Sequence, residues 1–142
     1  MNNKKNDRGF TLIELLIVMI ILGLLAALVA PRMFSKIGTS KQGAAKAQIS
    51  LFETALDTYR LDMGKFPTSD QGLAALREKP DDGDNWDGPY LPKEVPLDPW
   101  GESYEYKFPS EHSDYEIISY GADKQPGGDD EDADIFNWKS NK

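Results

Sequence analysis

Cysteine is absent from this 142-residue chain, and histidine occurs only once, at position 112. Without cysteine the fold cannot depend on disulfides, and the protein has no thiol for nucleophilic or redox catalysis. His112 lies among Glu111, Ser113 and Asp114 in a polar stretch that is typical of a surface loop. Because no nucleophile and base are brought together in the sequence, we do not expect an enzyme.

Positive charge is scarce in the second part of the chain. Residues 61–142 hold eight Lys/Arg and twenty Asp/Glu, a net charge of −12, whereas residues 1–60 hold eight and four, a net charge of +4. An acidic domain repels phosphates, so nucleic acid is not an expected partner. The same acidity is compatible with a bound cation.

Long apolar runs are also missing, with one exception near the N-terminus. Residues 10–30 form an apolar stretch of 21 residues with a single charge, on Glu14. As a helix this stretch measures about 30 Å, the thickness of the hydrocarbon core of a bilayer. Lys4, Lys5 and Arg8 precede it and predict a cytoplasmic N-terminus. A secretory signal peptide is the alternative, but its apolar region is usually shorter.

Glu14 is costly in this stretch, since a carboxylate at membrane depth costs on the order of 2.5–3.5 kcal/mol. One interpretation is an acid in the first helical turn, favoured by the helix dipole and lying at the level of the headgroups. The other is a cationic partner for Glu14. A cut after Gly9 would provide that partner as the free α-amino group of Phe10, within the chain or on an adjacent chain.

The stretch RGFTLIELLIVMIILGLLAALVAP, residues 8–31, resembles the class III signal sequence of type IV pilins and type II secretion pseudopilins. The resemblance implies that a prepilin peptidase cuts between Gly9 and Phe10 and that Phe10 is then N-methylated. It also implies that Glu14 interacts with the amine of a neighbouring subunit during assembly. Three parts are therefore predicted: a cleaved leader, 1–9; a transmembrane and assembly segment, 10–31; and a periplasmic domain, 32–142.

A helical pattern continues after the apolar stretch. Apolar side chains recur at spacings of four and three, as on one face of an amphipathic helix; they are Ala45, Ile49, Phe52, Leu56, Tyr59 and Met63. We therefore predict one helix from about Phe10 to about Leu61. Pro31 should be its weak point, because proline lacks an N–H, and Gly64 should mark its end.

A second, short helix is predicted over residues 70–79. Thr68 or Ser69 would cap this helix, and Pro80 would stop it. Residues 80–92 are predicted to be a loop from their composition.

The remaining pattern favours a small sheet. Residues 98–101, DPWG, fit a type I turn, and alternating apolar side chains predict strands at 104–108 and 115–120, joined by a hairpin loop. The predicted fold class is α+β, a roll in which a long N-terminal helix, transmembrane in its first half, packs on a small antiparallel sheet. The resemblance implies that this roll is type IV pilin-like and that a C-terminal calcium loop follows the sheet.

The loop at residues 121–134 holds six carboxylates. One interpretation is a solvated and mobile acidic surface. The other is a closed loop, because the apolar residues 135–138 that follow it should return to the core. Ca²⁺ would then relieve the repulsion through hard oxygen ligands at about 2.3–2.6 Å.

Three further stretches are similar to the major pseudopilins of type II secretion: FPTSDQGLAAL, YLPKEVPLDPWGESYEY and SYGADKQPGGDDEDADIFNW. Members of that family bind one Ca²⁺ in the C-terminal loop through aspartates and main-chain carbonyls. By position, the implied ligands are Asp123, Asp130, Asp132 and the main-chain carbonyl of Tyr120, with Asp129 and Asp134 as additional candidates. Lys124 stands where the family usually has glycine.

The resemblance implies a function in assembly rather than catalysis. The chain would be the subunit that polymerises into the periplasmic pseudopilus of a type II secretion system and so drives export of folded proteins across the outer membrane. It would cross the inner membrane once. The implied partners are other copies of the chain in a helical filament, minor pseudopilins, the inner-membrane assembly platform and prepilin peptidase.

Two alternative functions compete with this one. A type IV pilin for adhesion, motility or DNA uptake is the nearer one, but many such pilins close their C-terminal loop with a disulfide, which this chain cannot form. A membrane-anchored periplasmic enzyme or calcium sensor is the other, and it leaves Gly9, Phe10 and Glu14 unexplained.

Overall fold

The computed structural model describes residues 9–138, without the side chains of Arg32, Phe34 and Ser35. The predicted leader, residues 1–9, therefore lies outside the described residues except for Gly9. Within the described part the chain divides after Lys36 into two compact units. We call them the N-terminal segment, residues 9–36, and the domain, residues 37–138.

Helix α1 spans Leu12–Met63. The helix begins two residues later than predicted, and Pro31 lies inside it without interrupting it. Its end is the predicted one, since Gly64 has a φ of 75° and donates its N–H to the carbonyl of Arg60 at 2.8 Å. Glycine adopts this left-handed conformation without the strain that a Cβ would cause.

In the N-terminal segment, α1 buries no face among the side chains that the structure describes. Its large apolar side chains are exposed, from Phe10 to Val29. By length and composition this part of the helix is able to cross a membrane.

In the domain, α1 has the predicted apolar face. Ala45, Ile49, Phe52, Leu56 and Tyr59 are at most 1% exposed. All but Ala45 belong to the core cluster of the domain, and Met63, the last predicted member of the face, packs against that cluster and is only partly buried. Aromatic side chains from the rest of the domain complete the core, for instance Tyr104, whose ring meets that of Phe52 edge to face at 5.1 Å between centroids.

The predicted helix over residues 70–79 is wrong in length and type, because the chain forms only a 3₁₀ helix, Gly72–Leu76. Gly72 has a φ of 58°, a left-handed conformation that does not fit inside an α-helix. The predicted cap is also wrong, because the N-cap residue of this helix is Gln71 and it makes no side-chain cap bond. Thr68 instead pairs with Gln71 in the turn before the helix: its N–H donates to Oε1 of Gln71 at 2.9 Å, and the Gln71 N–H donates to its Oγ1 at 3.3 Å.

The sheet is antiparallel and has three strands in the order β1-β2-β3. They are β1 Glu105–Lys107, β2 Glu116–Ser119 and β3 Ile135–Phe136. The two predicted strands are therefore confirmed, in shorter form. The apolar residues after the acidic loop do return to the core, and they do so as β3, which pairs Phe136 with Ile118.

The turn at residues 98–101 ties the chain before β1 to the sheet. Gly101 donates its N–H to the Asp98 carbonyl at 3.0 Å, as predicted for a turn that starts at Asp98. The Asp98 carboxylate is buried and accepts hydrogen bonds from the N–H groups of Trp100 and Glu102 and from Oγ of Ser119. These three hydrogen bonds satisfy the buried carboxylate within its own chain.

Candidate functional site

Glu14 lies in the first turn of α1 and belongs to a capping box. Its Oε2 accepts hydrogen bonds from the backbone N–H of Thr11 at 2.8 Å and from the Thr11 hydroxyl at 3.0 Å. The Glu14 N–H in turn donates to Oγ1 of Thr11 at 3.3 Å. Thr11 was missed by the sequence analysis, although a Thr followed three residues later by Glu, just before an apolar run, is the usual signal for this cap.

The cap leaves the charge of Glu14 without a cation. Among residues 9–138 no Lys, Arg or His lies within ion-pair distance of its carboxylate. Gly9 and Phe10 precede the helix and are both exposed, Phe10 by 81%. The predicted cleavage junction is therefore accessible, and the carboxylate is open to a partner from outside the chain.

The acidic loop is closed on itself. The N–H of Ala122, at its start, donates to the carbonyl of Glu131 at 3.0 Å. Gly121 and Gly128 both have positive φ, and a Cβ on either would meet the backbone of Asp132 at 2.9 Å or less. Glycine is therefore required at these two positions for the two ends of the loop to approach each other.

Two carboxylates of the loop accept hydrogen bonds from backbone N–H groups of the same loop. Asp123 accepts a hydrogen bond from the N–H of Gln125 at 3.1 Å, and Oδ2 of Asp134 accepts one from Gly127 at 2.8 Å. The 3₁₀ helix Asp130–Asp132 follows the extended residue Asp129. In the described part of the chain, the structure gathers no group of three or more acidic or histidine side chains that could hold a metal ion. The predicted ligands Asp123, Asp130 and Asp132 therefore do not form such a group.

One oxygen in this region nevertheless fits a cation. Oδ1 of Asp134 is buried and has no hydrogen-bond partner, which is costly for a carboxylate. A hard cation such as Ca²⁺ would satisfy this oxygen. The other carboxylates of the loop would offer the cation oxygen ligands of the kind that Ca²⁺ prefers. Asp134 is thus the best placed of the predicted ligands, although the resemblance implies it only as an additional candidate behind four others.

Two other residues of the predicted site have partners of their own. Tyr120 follows β2 and donates its hydroxyl hydrogen to Oε2 of Glu105, and this bond, together with burial, raises the pKa of the phenol to about 12. Lys124 has a φ of 60° and pairs with Oε1 of Glu102 at 2.5 Å. The left-handed backbone at position 124 is the reason why glycine suits it.

His112 lies on an exposed loop, as predicted. Its ring stacks on that of Trp138 with centroids 5.0 Å apart, and its Nδ1 lies 2.6 Å from Oε1 of Glu116. These contacts hold the end of the described chain against the loop before β2.

Comparison with known proteins gives concordant results. A family model described as type II secretion system protein G matches residues 32–138, and one described as the prokaryotic N-terminal methylation motif matches residues 4–30. The chain is 43% identical over 138 residues to the type II secretion system core protein G of Pseudomonas aeruginosa, covering 95% of this chain and 97% of that protein.

Further matches extend to other species and to a solved structure. Identity to the core protein G of Vibrio cholerae is 40% over 141 residues, covering 97% of this chain and 96% of that protein. The crystal structure of the major pseudopilin from the type 2 secretion system of enterohaemorrhagic Escherichia coli superposes with a TM-score of 0.64 at 35% identity. That match covers 76% of this chain and 95% of the other.

Proposed function

The chain belongs to the type II secretion system protein G family, and on that premise we propose that it is the major pseudopilin of such a system. Copies of it polymerise into the periplasmic pseudopilus, which drives export of folded proteins across the outer membrane. The observation that carries this proposal is the combination of a methylation motif, an apolar helix segment with no buried face, and a separate folded domain.

The N-terminal segment supports a single-pass anchor in the inner membrane before assembly. Prepilin peptidase would cut after Gly9, and Phe10 would become the methylated N-terminus. The basic residues before the cut favour a cytoplasmic N-terminus and a periplasmic domain. Minor pseudopilins and the inner-membrane assembly platform are the further partners we propose.

Glu14 supplies the proposed chemistry of assembly. Within residues 9–138 its carboxylate is paired only with the neutral Thr11, so a charge remains that is costly in lipid. The α-amino group of Phe10 on a neighbouring subunit would neutralise that charge when the subunit enters the filament. Assembly would thus be favoured over the isolated subunit in the membrane.

Intact mass and filament yield test the proposal together. In cells with active prepilin peptidase and the other secretion proteins, the membrane-extracted protein should have the mass of residues 10–142 plus one methyl group, and sheared filaments should contain it. A mass that includes residues 1–9, or a processed protein that never enters filaments, would contradict the proposal.

Calcium is the proposed ion of the acidic loop. Asp134, with its buried unpaired oxygen, would hold it together with other oxygens of the loop, among them the predicted ligands Asp123, Asp130, Asp132 and the carbonyl of Tyr120. The ion would supply positive charge to a loop of six carboxylates and would stabilise the closed form. If Ca²⁺ binds only the folded state, the gain is about 2.7 kcal/mol at a hundredfold excess over Kd.

Thermal unfolding of the full-length chain in detergent, with Ca²⁺ and with EGTA, tests this part. Calcium should raise the melting temperature of the wild type, and Asp134→Ala and Asp123→Ala should abolish the increase. Asp87→Ala is the matched control, since Asp87 is an exposed aspartate outside the loop. Removing a carboxylate from a loop that binds no ion should relieve repulsion, so a rise in stability for Asp134→Ala without calcium dependence in the wild type would contradict the proposal.

A further inference from the structure

The acidic loop contacts α1 at one turn of the helix, within the domain. Gly38 is buried, although the residues on either side of it are exposed. The side chain of Glu131 lies against it so closely that a Cβ at position 38 would overlap the Glu131 carboxyl group. One turn later, Nε2 of Gln42 donates a hydrogen bond to the carbonyl of Asp130. Two consecutive loop residues therefore hold one turn of α1.

On the loop side, this contact depends on closure of the whole loop. Asp130 has a φ of 53°, a left-handed conformation that aspartate tolerates better than most residues. The Glu131 carbonyl accepts the N–H of Ala122 at the start of the loop, and Gly128 packs on the backbone of Asp132. An opening of the loop would therefore move Asp130 and Glu131 away from the helix.

On the helix side, this turn lies outside the apolar core of the domain. Most residues from 37 to 44 are exposed, and the core begins only at Ala45. Gly38 and Gly43 both lie in this stretch, and glycine is a poorer helix former than alanine. Because helices in proteins are stabilised mainly by tertiary packing, this stretch needs a contact from outside the helix.

We propose that the acidic loop is a strap on α1, so that closure of residues 121–134 and helical order of residues 37–45 are linked. Whatever closes the loop then stabilises these turns, and by reciprocity whatever stabilises these turns favours the closed loop. The inference relies on the proposed function only where it names calcium as the ion that closes the loop.

Hydrogen exchange of the full-length chain in detergent, followed in peptides covering residues 37–45 and 121–134, tests the strap. Alanine at position 38 would displace only the flexible Glu131 side chain, so leucine is the sharper substitution. Gly38→Leu should speed exchange in both peptides by about fivefold to tenfold, which corresponds to loss of one hydrogen bond and its packing. Gly43→Leu is the matched control, because nothing lies within 4 Å of a Cβ at Gly43.

The two leucine variants separate the strap from helix propensity. Leucine is a better helix former than glycine, so without a strap both variants should slow exchange in residues 37–45 and leave the loop unchanged. That result would overturn the proposal. Adding Glu131→Ala to Gly38→Leu makes room for the leucine and should restore part of the protection in the loop.

Calcium gives an independent readout. If EGTA speeds exchange in both peptides of the wild type, loop and helix are linked as proposed. If EGTA speeds exchange in the loop but not in the helix, the strap is wrong even though calcium binds. If EGTA changes neither peptide, the calcium part of the proposed function is wrong, whereas opposite responses of the two leucine variants would still support the strap.

Discussion

The two parts of α1 have the same secondary structure but are stabilised by different surroundings. In the domain, the helix buries one face of apolar side chains against its own chain. In the N-terminal segment, apolar side chains cover every face, and none of the large ones that the structure describes is buried. A helix that is apolar all round requires lipid or other helices around it. The domain therefore folds on its own interactions, whereas the N-terminal segment depends on what surrounds it outside the chain.

The carboxylates of the two parts differ in the same way. Asp98 is 5% exposed and accepts three hydrogen bonds from groups of its own chain. Glu14 has only the cap of Thr11, and no cation among the described residues. The charge in the domain is satisfied internally, and the charge in the N-terminal segment is left for a partner.

The largest expected effect follows from this difference and concerns Glu14. We expect Glu14→Ala to abolish filament formation while membrane insertion continues, because insertion no longer carries the cost of a buried charge. Glu14→Gln should fail in the same way, since glutamine preserves the capping box but not the charge. The measurement is the amount of subunit in sheared filaments relative to the amount in membranes.

Thr11→Ala is the control for helix capping. It removes the cap, which is worth about 1 kcal/mol, but keeps the charge of Glu14, so filaments should still form. If Glu14→Gln assembles like the wild type and Thr11→Ala does not, Glu14 acts only as a helix cap.

A pair of leucines on α1 should show the next largest effect. Leu56 is fully buried in the core of the domain, whereas Leu22 is 55% exposed in the N-terminal segment. Leu56→Ala should destabilise the domain by about 2–5 kcal/mol through lost burial and a residual cavity. Leu22→Ala should leave the melting temperature of the domain unchanged, as measured by thermal unfolding of the full-length chain in detergent.

An equal loss of melting temperature in both variants would contradict the division of the chain into two units. A loss of filaments in Leu22→Ala at unchanged domain stability would support it, because that leucine would then pack only between subunits.

Helical periodicity predicted α1 well because the pattern extends over many residues. The face from Ala45 to Tyr59 and the end at Gly64 follow from that period and from the left-handed cap that glycine allows. The short elements were harder to predict. Gly72 is read from the sequence as an ordinary member of a short helix, and only its positive φ shows why no regular helix runs through it from residue 70. Strand β3 has two residues, too few for an alternating pattern.

The candidate site was predictable where its signal is local and not where it depends on contacts across the chain. Gly9, Phe10 and Glu14 form a contiguous motif. In the acidic loop, the sequence showed six carboxylates but could not show which of them has a buried oxygen without a partner. The contact of Glu131 with Gly38 joins residues 93 positions apart, and a glycine in a helix carries no signal that a distant side chain covers it.

The smallest expected effect is a pH dependence that belongs to the domain alone. The Glu116 side chain is 9% exposed, and Oε1 accepts a hydrogen bond from Oγ of Ser110 at 2.8 Å and lies 2.6 Å from Nδ1 of His112. Burial would raise the pKa of Glu116, but the hydrogen bonds from His112 and Ser110 outweigh it and hold the pKa below its ordinary value of 4.5. Because the pKa is lower in the folded than in the unfolded state, the ionised form contributes stability above pH 4.5, and this contribution is lost as the pH falls through the folded value.

Thermal unfolding of the full-length chain between pH 6 and pH 3 should therefore show a steeper loss of stability for the wild type than for Glu116→Gln. Glu14→Gln, in the N-terminal segment, should follow the wild-type curve, and a Glu116→Gln curve parallel to that of the wild type would show that these hydrogen bonds do not favour the ionised form.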